Sequence, residues 1–140
     1  MNSLNIGFFL TLLFVGSIYS EDIAKHVQCL EKNNLSQEEF VTMAKAAIAE
    51  SNESDDERMK CYTHCILESW GHLDENGKLD LSTLREKDRM TEEDIEMAKK
   101  CKNDNESVEE KCEYSYQVST CIAKAMKRKD IEQAEKAERK

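Results

Sequence analysis

Residues 107–129, SVEEKCEYSYQVSTCIAKAMKRK, decide how the chain is read. As a helix, this stretch sets Cys112 and Cys121 nine positions apart, about 900° of rotation, which ends half a turn out of phase. The two sulfurs therefore leave opposite flanks. A wide arc holds Tyr114, Ser115, Tyr116, Val118, Ser119, Ile122, Ala123, Ala125 and Met126, with Glu113, Gln117, Thr120, Lys124 and Lys127 in the remaining strip. An apolar face of that width predicts a helix packed against several neighbours at once.

Upstream, MNSLNIGFFLTLLFVGSIYS opens with an apolar run from Ile6 to Val15, followed by small and polar residues and then by Glu21-Asp22. This has the shape of a secretory signal peptide, although no Lys or Arg precedes the run. It is short for a membrane span, and cleavage after Ser20 is expected. No later run is long and apolar enough to span a membrane. The expected product is a soluble, secreted domain of 120 residues with a net charge of −9 and all six cysteines. An acidic surface gives no electrostatic reason to bind nucleic acid or anionic membrane. Six cysteines in a secreted chain read as three disulfides, with pairing open among 15 connectivities.

The mature part has no proline, and its apolar residues recur at helical spacing. A first helix is expected over 22–32 with Ile23, Val27 and Leu30. A second opens at a capping box, Ser36 with Glu39, and carries Phe40, Met43, Ala44, Ala47 and Ile48. A third spans about 56–70 with Met59, Cys61, Tyr62, Cys65, Ile66 and Trp70. Asp80 caps a short fourth with Leu81 and Leu84, Thr91 with Asp94 caps a fifth with Ile95, and Ser107 with Glu110 is expected to cap the central helix. Residues 127–140 are almost all charged and read as a solvated tail. The fold class is all-α, with about six helices.

Cys61 and Cys65, at i and i+4, point the same way and are badly placed to bond to each other. Zinc held by Cys61, His64, Cys65 and His72 is disfavoured by secretion and by the lack of paired short-spacing ligand motifs, so no metal is assigned. Asp74-Glu75-Asn76-Gly77 lacks the acidic ends of a calcium loop. His26, His64 and His72 are scattered and read as surface residues. Sequons stand at Asn34, Asn52 and Asn105. No nucleophile motif or phosphate loop is present and the cysteines are committed to bridges, so neither an enzyme nor a cofactor is expected.

The intervals between cysteines are 31, 3, 35, 10 and 8 residues. This pattern resembles the insect odorant-binding and pheromone-binding protein family, in which the three- and eight-residue gaps are the most characteristic. The resemblance covers the whole mature chain. It implies a compact bundle of about six helices around an apolar cavity, stapled by three interlocked disulfides: Cys29–Cys65, Cys61–Cys112 and Cys101–Cys121. It also implies a secreted carrier of small apolar, volatile or lipid-like semiochemicals through aqueous lymph. A chemosensory receptor is then a candidate protein partner, and the chain is expected to act as a monomer or weak homodimer. Residues 21–126 would form this domain.

On the inward faces, the expected cavity wall is Met43, Ala47, Met59, Tyr62, Ile66, Trp70, Leu84, Ile95, Tyr116, Val118 and Ile122. Methionines suit a tolerant pocket, and Tyr62, Tyr114 or Tyr116 could offer a hydroxyl to a ligand oxygen. In some family members an apolar C-terminal tail enters the pocket with pH; here the tail is too charged to enter cheaply. Competing readings are a scavenger in saliva, venom or reproductive fluid, a saposin-like membrane-active protein, and an extracellular messenger recognised by its surface.

Overall fold

A computed structural model describes residues 21–49, 56–88 and 90–140. The signal-peptide reading of residues 1–20 and the sequon at Asn52 lie outside these residues. The described chain forms six helices: α1 (21–32), α2 (Gln37–Ile48), α3 (Glu57–Ser69), α4 (Leu81–Lys87), α5 (Glu92–Asp104) and α6 (Lys111–Glu138). Among the described residues, β pairing is limited to a single bridge, Leu73 with Leu79, closing the turn before α4.

Short polar side chains start the helices because they accept the first unpaired amides. Ser36 and Glu39 form the box that opens α2, and Thr91 and Asp94 the one that opens α5. Asp56 and Asp80 cap α3 and α4 through the amides of Arg58 and Ser82. The box expected of Ser107 with Glu110 does not form. Glu110 is itself the N-cap of α6, accepting from the amides of Cys112 at 3.1 Å and Glu113 at 2.6 Å. One carboxylate can hold two amides and also complements the positive helix end. Two helices stop at residues with positive φ, Asn34 after α1 (54°) and Gly71 after α3 (75°).

α6 runs on to Glu138, well past the end expected near Lys129, because neither proline nor glycine interrupts it. Most of residues 127–140 is exposed. Lys129 is the anchor, reaching Asp94 at 2.8 Å and Glu93 at 3.3 Å on α5.

The sulfurs pair Cys29 with Cys65, Cys61 with Cys112, and Cys101 with Cys121. The bridges tie α1 to α3, α3 to α6 and α5 to α6, making one frame of four helices. α2 and α4 carry no cysteine and are held by packing and polar contacts alone.

Candidate ligand-binding site

α6 divides the buried apolar residues into two clusters, and its own periodicity is the reason. Tyr114 and Val118 are four positions apart and share a face, while Tyr116 between them points roughly the other way. Cys112 lies on the Tyr116 side, which faces α3.

The first cluster joins α1, α2, α3 and α6: Cys29, Leu30, Leu35, Ala47, Met59, Tyr62, Ile66 and Tyr116, with Phe40, Met43, Ala44 and Cys65 partly buried against it. The second is Leu79, Leu84, Ile95, Ala98, Tyr114 and Val118, with Leu81, Met90, Val108 and Ile122 at its margin. Of the expected wall residues, Met43, Ala47, Met59, Tyr62, Ile66 and Tyr116 thus meet in the first cluster. Leu84, Ile95, Val118 and Ile122 meet in the second. Trp70 belongs to neither; it is 40% exposed, at the C-cap of α3.

Trp70 instead lines a surface pocket of about 400 Å³ with Asp22, Lys25, His72, Lys87 and Asp88. Its lining is mostly charged. His72 was expected at the surface but is 4% exposed, with Nδ1 3.1 Å from Thr83 Oγ1 and Nε2 3.1 Å from Asp88 Oδ2. The turn made by Gly71 folds this residue back over α4, which spacing along the chain could not reveal.

Two buried tyrosines mark the two clusters. Tyr114 Oη accepts the amide of Leu79 at 2.9 Å, and the ammonium of Lys78 sits 4.1 Å above its ring. That hydroxyl is anchored to the backbone through one lone pair. Tyr62 Oη lies 2.6 Å from His26 Nδ1, and His26 Nε2 lies 2.7 Å from Gln37 Oε1. The His26 and Phe40 rings pack against Tyr62 at centroid distances of 5.6 and 4.7 Å. Burial pushes the Tyr62 phenol up to about 12, so it stays protonated in the physiological range. His26, Phe40 and Gln37 were missed as site residues. Nothing in the sequence signals a contact between positions 26 and 62.

The seam between α3 and α6 is also polar. Lys60 Nζ reaches Glu113 Oε2 at 2.6 Å, with the Lys60 side chain 11% exposed. Hydrogen bonding from Lys60, supplemented by Gln117, holds the Glu113 carboxyl below its ordinary value.

Comparison with known proteins decides the family. The PBP/GOBP family model matches residues 21–125, three quarters of the chain. The chain belongs to the PBP/GOBP family. Among its family relatives, general odorant-binding protein 57c of Drosophila melanogaster is 33% identical over 104 residues, covering 73% of this chain and 70% of that protein. The crystal structure of pheromone binding protein 3 of Epiphyas postvittana superposes with a TM-score of 0.62 at 17% identity, covering 76% of this chain and 96% of that one. Odorant binding protein 4 of Chrysopa pallens gives a TM-score of 0.52 at 25% identity, over 76% and 87%. The helical architecture is shared with both. None of the described helices is long and apolar enough to cross a membrane.

Proposed function

We propose that this family member is a secreted, non-enzymatic carrier that takes one small hydrophobic semiochemical, an odorant or pheromone, into its interior. The observation that carries the reading is the match over 21–125 together with the relative named as a general odorant-binding protein. In this reading residues 1–20 are the leader, 21–126 the binding domain and 127–140 a charged extension. The ligand lies among the residues of the first cluster, chiefly Met43, Ala47, Met59, Tyr62, Ile66 and Tyr116.

Two features favour the first cluster as the site. Its outer wall, α2, is unstapled, as α4 is at the second cluster. But α2 is the longer helix and sets three partly buried residues, Phe40, Met43 and Ala44, against its cluster, where α4 sets only Leu81 among the described residues. Methionine and alanine leave space that rearranges at low cost. A ligand burying ten methylenes gains about 8 kcal/mol before association costs, so micromolar affinity is expected.

The test is titration of the oxidised protein with N-phenyl-1-naphthylamine, followed by displacement with alcohols, esters, aldehydes and fatty acids. Saturation near one probe per chain, abolished on reduction, is the expected result. Ala47→Trp fills the first cluster and should remove binding. A folded, fully oxidised protein that binds neither probe nor panel would sink the carrier reading in favour of recognition by its surface.

A further inference from the structure

The proton arrangement at Tyr62 bears on which ligands the first cluster prefers. Gln37 Oε1, a carbonyl oxygen, can only accept, so His26 Nε2 carries the hydrogen of that 2.7 Å contact. In the neutral ring Nδ1 is then an acceptor, and the 2.6 Å contact is Tyr62 O–H donating to His26. The opposite arrangement would turn the Gln37 amide and place the hydrogen on Nδ1. The buried Tyr62 hydrogen would then have no acceptor among the described residues, a costly state. Only with Tyr62 donating to His26 do the Tyr62 hydroxyl hydrogen and the His26 ring hydrogen both meet an acceptor.

We propose that Tyr62, held by His26, is a hydrogen-bond acceptor subsite in the first cluster, selecting ligands that carry a hydroxyl over isomers that can only accept. Its oxygen keeps lone-pair capacity while its hydrogen is committed. An alcohol can donate to it; an ether or ketone of equal size meets oxygen with oxygen. His26 is a positioning residue, since it acts through Tyr62. This inference rests on the carrier reading, with the ligand in the first cluster.

The experiment is competitive displacement of N-phenyl-1-naphthylamine by decan-1-ol, by its isomer methyl nonyl ether, and by decan-2-one. The folded protein should bind the alcohol about 3- to 10-fold more tightly than the ether, the range one net hydrogen bond supplies. Tyr62→Phe should bring the ratio to about one, whatever its effect on the affinity for the probe itself. His26→Leu frees the Tyr62 hydrogen, so the preference should fall or reverse toward the ketone; a purely structural role would weaken all three ligands alike. Equal binding of alcohol and ether by the unsubstituted protein, or a ratio unmoved by Tyr62→Phe, overturns the inference. The ratio in the unsubstituted protein decides even where a variant does not fold. Absence of any probe binding overturns the carrier reading instead.

The turn between α1 and α2 carries an independent observation. Asn34 closes α1 with its backbone: its amide donates to Glu31 O and that of Leu35 to Leu30 O. Its side chain is exposed and has no hydrogen bond among the described residues. Asn105 is only half exposed, and its Nδ2 donates to Cys101 O at 2.8 Å. We infer that the Asn34-Leu35-Ser36 sequon carries an N-linked glycan and that Asn105 does not. In the transfer, Asn34 Nδ2 loses a proton and bonds to the anomeric carbon of a lipid-pyrophosphate-linked oligosaccharide, whose lipid pyrophosphate departs.

The test is expression of the full chain in insect cells and peptide mass spectrometry of the secreted protein before and after glycosidase treatment. A glycan on the Asn34 peptide, lost in Asn34→Gln, with an unmodified Asn105 peptide, is expected. An unmodified Asn34 in secreted protein, or modification at Asn105, overturns the assignment. A chain that stays in the cytoplasm without sugar overturns secretion and the glycan together.

Discussion

The two apolar clusters lie back to back on α6 and are closed in different ways. In the second, Leu79, Ala98, Tyr114 and Val118 are each at most 2% exposed, and the one tyrosine hydroxyl is tied to backbone. α5 is bonded covalently to α6 beside it through Cys101–Cys121. In the first, the covering helix α2 has no disulfide, its Val41 and Ile48 are 37% and 38% exposed, and its polar ties run through exposed side chains such as Glu39 with Arg58 at 3.3 Å. The difference teaches that one side is held as core, while the other has the looser cover that the carrier proposal needs in a wall able to yield. Stapling of the remaining frame keeps that yielding local.

The largest effect should come from the bridge at the seam. Replacing Cys61 and Cys112 together by serine opens a link spanning 51 residues and should cost about 2–5 kcal/mol. Denaturant melts of the oxidised variant would check it, and an unchanged midpoint would refute the stapled-frame picture.

Next come truncations in each cluster. Leu84→Ala in the second cluster should lose about 2–4 kcal/mol, whereas Met43→Ala in the first, at a partly buried position, should lose about 1 kcal/mol and weaken ligand binding more than it weakens the fold. Equal losses at the two sites would erase the contrast between core and yielding wall.

The smallest effect is electrostatic. The Asp94 carboxyl is held below its ordinary value, first by the hydrogen bond from Lys129 and then by the Thr91 hydroxyl. Stability from this source is present above the unfolded-state value and is lost as pH falls through the lower folded value. Asp94→Asn should therefore melt slightly below the unsubstituted protein at neutral pH, and the gap should close in the acid range below the ordinary carboxylate value. A gap that persists under strong acid would mean that Asp94 acts by packing.

Much of the helix pattern was legible because it is written in local chemistry. Ser36, Asp80 and Thr91 were read as caps and all three cap helices, and Asp56, read only as the start of a helix, caps one as well. Ser107 misled because Glu110, three residues on, can cap better alone, and the end of α6 misled because charge says where a helix is solvated, not where it stops. Trp70 read as inward by spacing, yet it falls at the C-cap of α3 and stays 40% exposed.

By itself, then, the sequence determined the all-α class, the caps of α2, α4 and α5, the acidic charge and a six-cysteine spacing that points to one family, because periodicity, capping and spacing are local properties of a chain. Only the tertiary structure decided that the expected wall residues divide between two clusters, that His72 is buried, and that His26 meets the Tyr62 hydroxyl from 36 positions away. Those facts depend on which helix faces are pressed together, chiefly α3 and α5 against opposite sides of α6, with α1 held on α3 by Cys29–Cys65.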